Sequence, residues 1–227
     1  MGKGEQTRAA IVGAALDIAS REGLEGLTIG LLAERMGMSK SGVFAHFGSR
    51  EDLQLAVVRE YHRRFEEEIF YPALREPRGL ARLRAMVRGW LRRHADELAT
   101  GCMYISGAVE YDDRPGPIRD ELLRMVLAWQ DALLRAARQA VETGELLAET
   151  DCEQLVFEVR ALVLGLHHDV RFLKAGDARQ RAERAIDRVI AQHLASAAPA
   201  SATASASPAS SAAPATPARR RVIATAA

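Results

Sequence analysis

The chain has 227 residues, is 48% hydrophobic, and sets 31 basic against 30 acidic residues for a formal charge of +1. That near-neutrality excludes a general nucleic-acid coat, which needs a large positive excess, so any DNA contact has to be local and geometric. An aromatic content of 5% argues against a single-strand binder built on base stacking, and the length suits one large domain or two small ones.

At the N-terminus, Met1 to Gly4 lead into a polar amphipathic pattern rather than an apolar signal segment. No run approaches the roughly 18 apolar residues that a membrane span needs. Cys102 and Cys152 are far apart and form no CxxC pair, a usage that fits a reducing compartment. The expectation is a soluble cytoplasmic protein without membrane contact. The first predicted helix runs from about Thr7 to Arg21, with Ile11, Ala15 and Ile18 on one stripe and Gly23 as its stop.

Residues 28 to 47, TIGLLAERMGMSKSGVFAHF, then read as a short helix, a tight turn and a second short helix. Leu31, Leu32, Ala33 and Met36 give the first an apolar face, and Gly37 breaks it. Ser39 caps the second, whose buried side carries Val43 and Phe47 one turn apart. Its other side shows Lys40, Ser41, Gly42, Phe44 and His46, which is the make-up of a helix-turn-helix entering a DNA major groove. Ser41 and Gly42 are small enough for close approach, and Lys40 reaches a guanine edge or a phosphate. Ser39 and Ser41 offer hydroxyls, and His46 sits near the DNA backbone at the helix end. Thr28 presents a hydroxyl and a helix N-terminus to a phosphate, and Arg50 offers a further clamp. One such unit makes too few contacts for a specific site, so a homodimer reading two half-sites of a palindromic double-stranded operator is expected.

Ser49-Arg50-Glu51-Asp52 opens a helix that carries Leu53, Ala56, Val57 and Tyr61 inward and continues to about residue 71. Pro72 and Pro77-Arg78-Gly79 mark a boundary. Further amphipathic helices follow over about 80–98, 118–142, 151–175 and 178–196, with the apolar segment CMYISGAVEY and the loop DDRPGP between the first two. No period-2 alternation is present, so the predicted fold is all-α. The organisation is a three-helix DNA-binding domain over 1–50, a linking helix over 49–71, a larger helical domain over 72–196, and an Ala/Ser/Pro-rich disordered tail over 197–227 that contains Arg219 to Arg221.

The stretches TRAAIVGAALDIASREG, LTIGLLAERMGMSKSGVFAHF and GSREDLQLAV resemble the N-terminal domain of the TetR family of transcriptional regulators. Gly23, Thr28, Leu32-Ala33, Gly37-Met38-Ser39 and Phe44-Ala45-His46-Phe47 fill that family's slots. Phe44 stands where the family usually has a Tyr that gives its hydroxyl to a phosphate, and Ala19 where a bulky aromatic is common. The resemblance implies DNA contacts from Thr28, Ser39, Lys40, Ser41, Phe44 and His46. It also implies dimerisation through the last two long helices, where Val159, Leu162, Val163 and Leu166 form one apolar stripe and Ile186, Val189 and Ile190 another. A ligand-binding pocket for a small-molecule effector is implied too. Met86, Trp90, Met103, Tyr104, Met125 and Trp129 suit an apolar cavity with a few polar tips. The segment GCMYISGAVEYDDRPGPIRD is similar to one C-terminal subgroup of the family.

These features predict a DNA-binding transcriptional regulator, a repressor relieved by a small apolar or amphipathic ligand. The alternatives are an activator or ligand-independent regulator, or a helical ligand-binding protein with a weakened DNA head. No catalytic or cofactor motif is present, so neither an enzyme nor a cofactor or metal is expected. His167-His168-Asp169 is the nearest thing to a metal cluster, but adjacent helical histidines diverge by about 100° and suit an interface or pocket wall better. A cysteine-based redox sensor would require Cys102 or Cys152 to be an exposed, acidified thiolate.

Overall fold

The computed structural model describes residues 2–96 and 101–195, with side chains over 2–93 and 101–195. The expected tail over 197–227, Arg219 to Arg221 included, lies outside the described residues. The described residues form α1 (Lys3–Glu22), α2 (Ile29–Met36), α3 (Lys40–Phe47), α4 (Arg50–Phe65), α5 (Tyr71–Leu74), α6 (Leu80–Asp96), α7 (Met103–Tyr111), α8 (Pro117–Glu142), α9 (Cys152–Arg171) and α10 (Ala178–Ala191). Among them there is no strand, only a lone antiparallel bridge between Leu146 and Leu194.

The helix starts follow from the capping chemistry of the sequence. Thr28 Oγ1 accepts from the Leu31 amide at 3.1 Å, Ser39 Oγ from Gly42 at 3.0 Å, and Ser49 Oγ from Asp52 at 3.0 Å. Each satisfies an amide that the first turn leaves open. Asp151 does the same for α9, accepting from Glu153 and Gln154. At the end of α2, Gly37 adopts φ +62°, a left-handed conformation costly for residues with a Cβ, and the Met38 amide closes on the Ala33 carbonyl at 2.9 Å.

The break expected at Pro72 takes another form. Pro72 has no amide to donate and its ring crowds the carbonyl four residues back. The chain answers with one π-helical turn, Glu66–Phe70, and then resumes as α5, so the path bends away only after Leu74.

The described residues pack as one compact unit. α4 is shared: it lies against α1 on the head side and against α8 behind. The buried residues of the head, among them Ile11, Ala15, Leu27, Leu32, Val43, Phe47 and Leu53, are continuous with those of the larger part. Where the two meet, Phe65 of α4 is fully buried, with ring centroids 4.7 Å from Tyr104 of α7 and 4.8 Å from Trp129 of α8. α9 and α10 form an antiparallel pair laid over α6 and α8.

Candidate DNA interface and ligand cavity

α3 turns Val43 and Phe47 into the core and Ser41, Phe44 and Ala45 to solvent, with Lys40 exposed at its first turn. Phe44 is 51% exposed, an unusual setting for so large an apolar ring. Gly42 and His46 are half-buried on the flanks. Thr28, Ser39 and Ser41 are exposed on the same side, with the Ser39 and Ser41 hydroxyl oxygens 3.1 Å apart. Gly30 leaves room for the Lys40 stem, whose Cε would lie 3.3 Å from a Cβ placed there. Lys40 has no ion pair among the described residues, so its ammonium is available to an anion.

Arg50 is different. Its Nε donates to the Leu27 carbonyl at 2.9 Å, and its Nη2 to the carbonyl and carboxylate of Glu25 at 2.5 and 3.3 Å. The sequence reading of Arg50 as a phosphate clamp is corrected: three of its contacts tie α4 to the α1–α2 loop. Arg8, which sequence reasoning passed over, places its guanidinium 4.9 Å from the Phe47 ring centre and braces the inner side of α3.

That loop is also held from the larger part of the molecule. Glu110, near the end of α7, accepts from the Leu24 amide at 2.9 Å and the Glu25 amide at 2.6 Å. Gly23 permits the approach: at φ +82°, a Cβ there would lie 2.9 Å from the Glu110 carboxylate. Tyr111 donates its hydroxyl to Glu25 at 2.6 Å, and the buried Gln54 of α4 donates to the Leu24 carbonyl at 2.6 Å. The Tyr111 hydrogen bond, assisted by Arg50 and Arg114, holds the Glu25 carboxyl below its usual range. Burial first, and then the bond to Glu25, raises the Tyr111 hydroxyl and keeps it protonated.

Behind the head lies a cavity of about 120 Å³ between α4, the π turn, α7 and α8, lined by His62, Phe65, Glu66, Phe70, Tyr104, Ala128, Trp129, Ala132 and Arg135. Of the six pocket residues read from the sequence, Tyr104 and Trp129 line it. Met86, Trp90, Met103 and Met125 are buried core and do not. The Trp129 Nε1 is buried without a hydrogen-bond partner among the described residues. Tyr104, its hydroxyl raised chiefly by burial, bonds His62 Nδ1, and His62 Nε2 lies 3.5 Å from Glu66. Burial lowers the His62 pKa from 6.5, so the ring is neutral at pH 7, and these partners fit the tautomer protonated on Nε2.

The residues read as a dimer stripe fall on both sides of α9 and α10. Val159, Val163, Leu166, Ile186 and Ile190 are buried within the single chain, and Leu162 and Val189 are half-buried. Those five face the chain's own α6 and α8 and are not open to a partner, which corrects the stripe. The outward face of α9 instead shows Phe157 at 60% and Leu164 at 48% exposure, beside exposed Ala161 and Gly165. His168 lies on the exposed side and His167 is half-buried, its pKa lowered by burial. Cys102 is buried and accepts from the Tyr61 hydroxyl at 3.2 Å, while burial raises the Cys152 thiol. Neither is the acidified, exposed thiolate that redox sensing requires.

Residues 11–57 match the family described as bacterial regulatory proteins, tetR family, and residues 79–186 match the tetracyclin repressor-like C-terminal domain. The chain belongs to the TetR family. It is a transcriptional regulator with a helix-turn-helix DNA-binding domain. Solved structures share the fold at low identity. A TetR regulator from Chloroflexus aurantiacus superposes with a TM-score of 0.78 at 22% identity, covering 86% of this chain and 98% of that one. A TetR-family regulator from Cytophaga hutchinsonii gives 0.75 at 19%, covering 87% and 99%. A regulator from Saccharomonospora viridis, solved in complex with choline, gives 0.70 at 18%, covering 85% and 100%. No curated protein matches the chain. No described helix is long and apolar enough to cross a membrane.

Proposed function

We propose that this TetR-family regulator is a repressor that binds a palindromic operator as a homodimer and is released when a small amphipathic ligand enters the cavity behind the head. One observation carries the coupling: α7 is a single short helix with Tyr104 in the cavity wall at one end and Glu110 and Tyr111 on the α1–α2 loop at the other. A ligand that shifts Tyr104 displaces the groups that hold the loop, and with it α2 and α3. The cavity favours a small body that stacks on Phe65, Phe70 and Trp129 and carries an acceptor for the Trp129 N–H.

Dimerisation falls to the outward faces of α9 and α10. Phe157 and Leu164 are large, apolar and uncovered, and Ala161, Gly165 and Ala185 line an adjoining groove of about 700 Å³ that lets helices approach closely. The DNA head consists of residues 1–50 and the dimer face belongs to residues 72–196, while the cavity is walled jointly by the linking segment 49–71, through His62, Phe65, Glu66 and Phe70, and by α7 and α8.

The test is selection from a random DNA pool at moderate salt, followed by fluorescence anisotropy on the selected sequence with a panel of small aromatic and amphipathic compounds. The expected result is an inverted repeat, released by at least one compound, with release abolished when Ala132→Phe fills the cavity. A selected site without two-fold symmetry would overturn the dimeric reading. Failure of every compound would favour the ligand-independent alternative.

A further inference from the structure

α6 carries Arg84, Arg88 and Arg92 four residues apart, so all three lie on one face. Like charges at this spacing repel, which makes the stripe a cost to the helix unless something neutralises it. Other arginines nearby are neutralised: Arg78 pairs with Glu142 at 2.7 Å, Arg93 with Glu68, Arg179 with Glu183 at 2.8 Å and Arg181 with Asp177 at 2.8 Å. Arg84, Arg88 and Arg92 have no ion pair and no side-chain hydrogen bond among the described residues. The Arg84 Nε is moreover buried without a partner.

These three side chains border a cleft of about 290 Å³ between α6 and α10. Its floor is Val87 and Leu91 of α6 with Ile186 and Ile190 of α10, all buried. The opposite rim holds Arg179, Glu183 and Asp187, so four cations face two carboxylates, one of them already engaged by Arg179. The effector cavity is elsewhere, on α4, α7 and α8. The outward groove proposed for dimerisation opens on α9 and the far side of α10, and the two share only Ile186's neighbour Asp187 at the ridge.

We propose that the α6–α10 cleft is a second binding site, specific for a small amphipathic anion. Arg84 and Arg88 hold its carboxylate or phosphate, and its apolar body lies on Val87, Leu91, Ile186 and Ile190. Guanidinium groups suit this task because their paired N–H donors match two oxygens of such a head group at once. An apolar floor under a cationic rim selects against a simple inorganic ion, which gains nothing from the floor, and against a neutral alcohol, which gains nothing from the rim.

The experiment is calorimetric titration of the full chain with octanoate, octyl phosphate, octanol and inorganic phosphate. Octanoate or octyl phosphate should bind one per chain, about tenfold or more tighter than octanol or phosphate, and the preferred head group identifies the anion. Arg84→Gln/Arg88→Gln should weaken that binding by about tenfold while the melting temperature stays level or rises, because two mutually repelling charges are removed, and operator affinity holds. Arg88 is exposed, so Arg88→Gln alone carries the test if the double variant does not fold. Binding should persist in Ala132→Phe, in which the effector cavity is filled. Loss of binding in Ala132→Phe, unchanged binding in the arginine variants, or equal affinity for octanol or inorganic phosphate would each overturn the proposal. The outcome is independent of whether the cavity ligand relieves repression.

Discussion

The front and the back of the reading head are built in opposite ways. On the front, Thr28 and Ser39 make hydrogen bonds that span three residues, the Ser41 hydroxyl bonds only its neighbour Ser39, and Lys40 and Phe44 project to solvent. On the back, the loop from Gly23 to Leu27 is gripped by Arg50, Gln54, Glu110 and Tyr111, groups 23 to 86 residues away along the chain. The face proposed to meet DNA makes only local hydrogen bonds and leaves the Lys40 ammonium unpaired among the described residues, while the face proposed to report on the cavity has its polar groups engaged across the fold. Substitutions should therefore separate cleanly: front changes alter binding alone, and back changes alter stability and coupling together.

The largest effect is expected where the back of the head meets the cavity. Phe65→Ala removes a fully buried ring that touches both Tyr104 and Trp129, and should cost about 3–5 kcal/mol of unfolding free energy in denaturant titration. A loss below about 1 kcal/mol would mean that the two parts fold independently. Next, Glu110→Ala leaves the Leu24 and Glu25 amides without their acceptor and should lower stability by about 1–3 kcal/mol. The same variant should blunt the response of operator affinity to a cavity ligand, and an intact response would break the proposed route through α7.

On the front, Lys40→Ala and Ser41→Ala should each weaken operator binding by about 1–3 kcal/mol in anisotropy titrations while stability stays within about 0.5 kcal/mol. Lys40→Ala should also flatten the salt dependence by about one counterion. Leu164→Glu should give a monomer on sizing without unfolding, whereas Val163→Glu should unfold the chain, because Leu164 faces outward and Val163 is buried.

The smallest effect is one of pH. Glu25 has its folded-state pKa below the ordinary 4.5, so the unfolded chain takes up its proton first as pH falls. Its contribution is complete above pH 4.5 and is lost as the solution is acidified through the lowered value. Tyr111→Phe removes the hydrogen bond that is the main cause of the shift, and should shallow the decline of stability below pH 4.5. An unchanged acid profile would place Glu25 outside the latch.

The local features were legible because their causes are local. Ser39 and Ser49 cap helices within three residues, Gly37 takes the left-handed turn, and Val43 and Phe47 face inward by helical period, while Thr28, read only as a phosphate contact, also caps α2. Arg50 misled because a basic residue at a helix start beside a DNA-reading unit also fits a phosphate clamp, and only the folded chain puts Glu25 and the Leu27 carbonyl beside it. The α9 stripe misled for another reason. Both of its faces carry large apolar residues, so periodicity identifies two stripes without saying which is inward. Met86, Trp90, Met103 and Met125 were reasonable pocket residues by type, yet close packing places them in the core and leaves the cavity to His62, Glu66, Phe70 and Arg135 beside Tyr104 and Trp129.

What the amino-acid order determined alone was the all-helical class, the helix boundaries near their caps and which side of α3 is exposed, since each depends on hydrogen bonds and periodicity within a turn or two. Tertiary structure decided the loop latch, the cavity, the outward face of α9 and the arginine-lined cleft. Those arise where helices distant in sequence meet, and no local periodicity encodes which residue of one helix will stand opposite which residue of another.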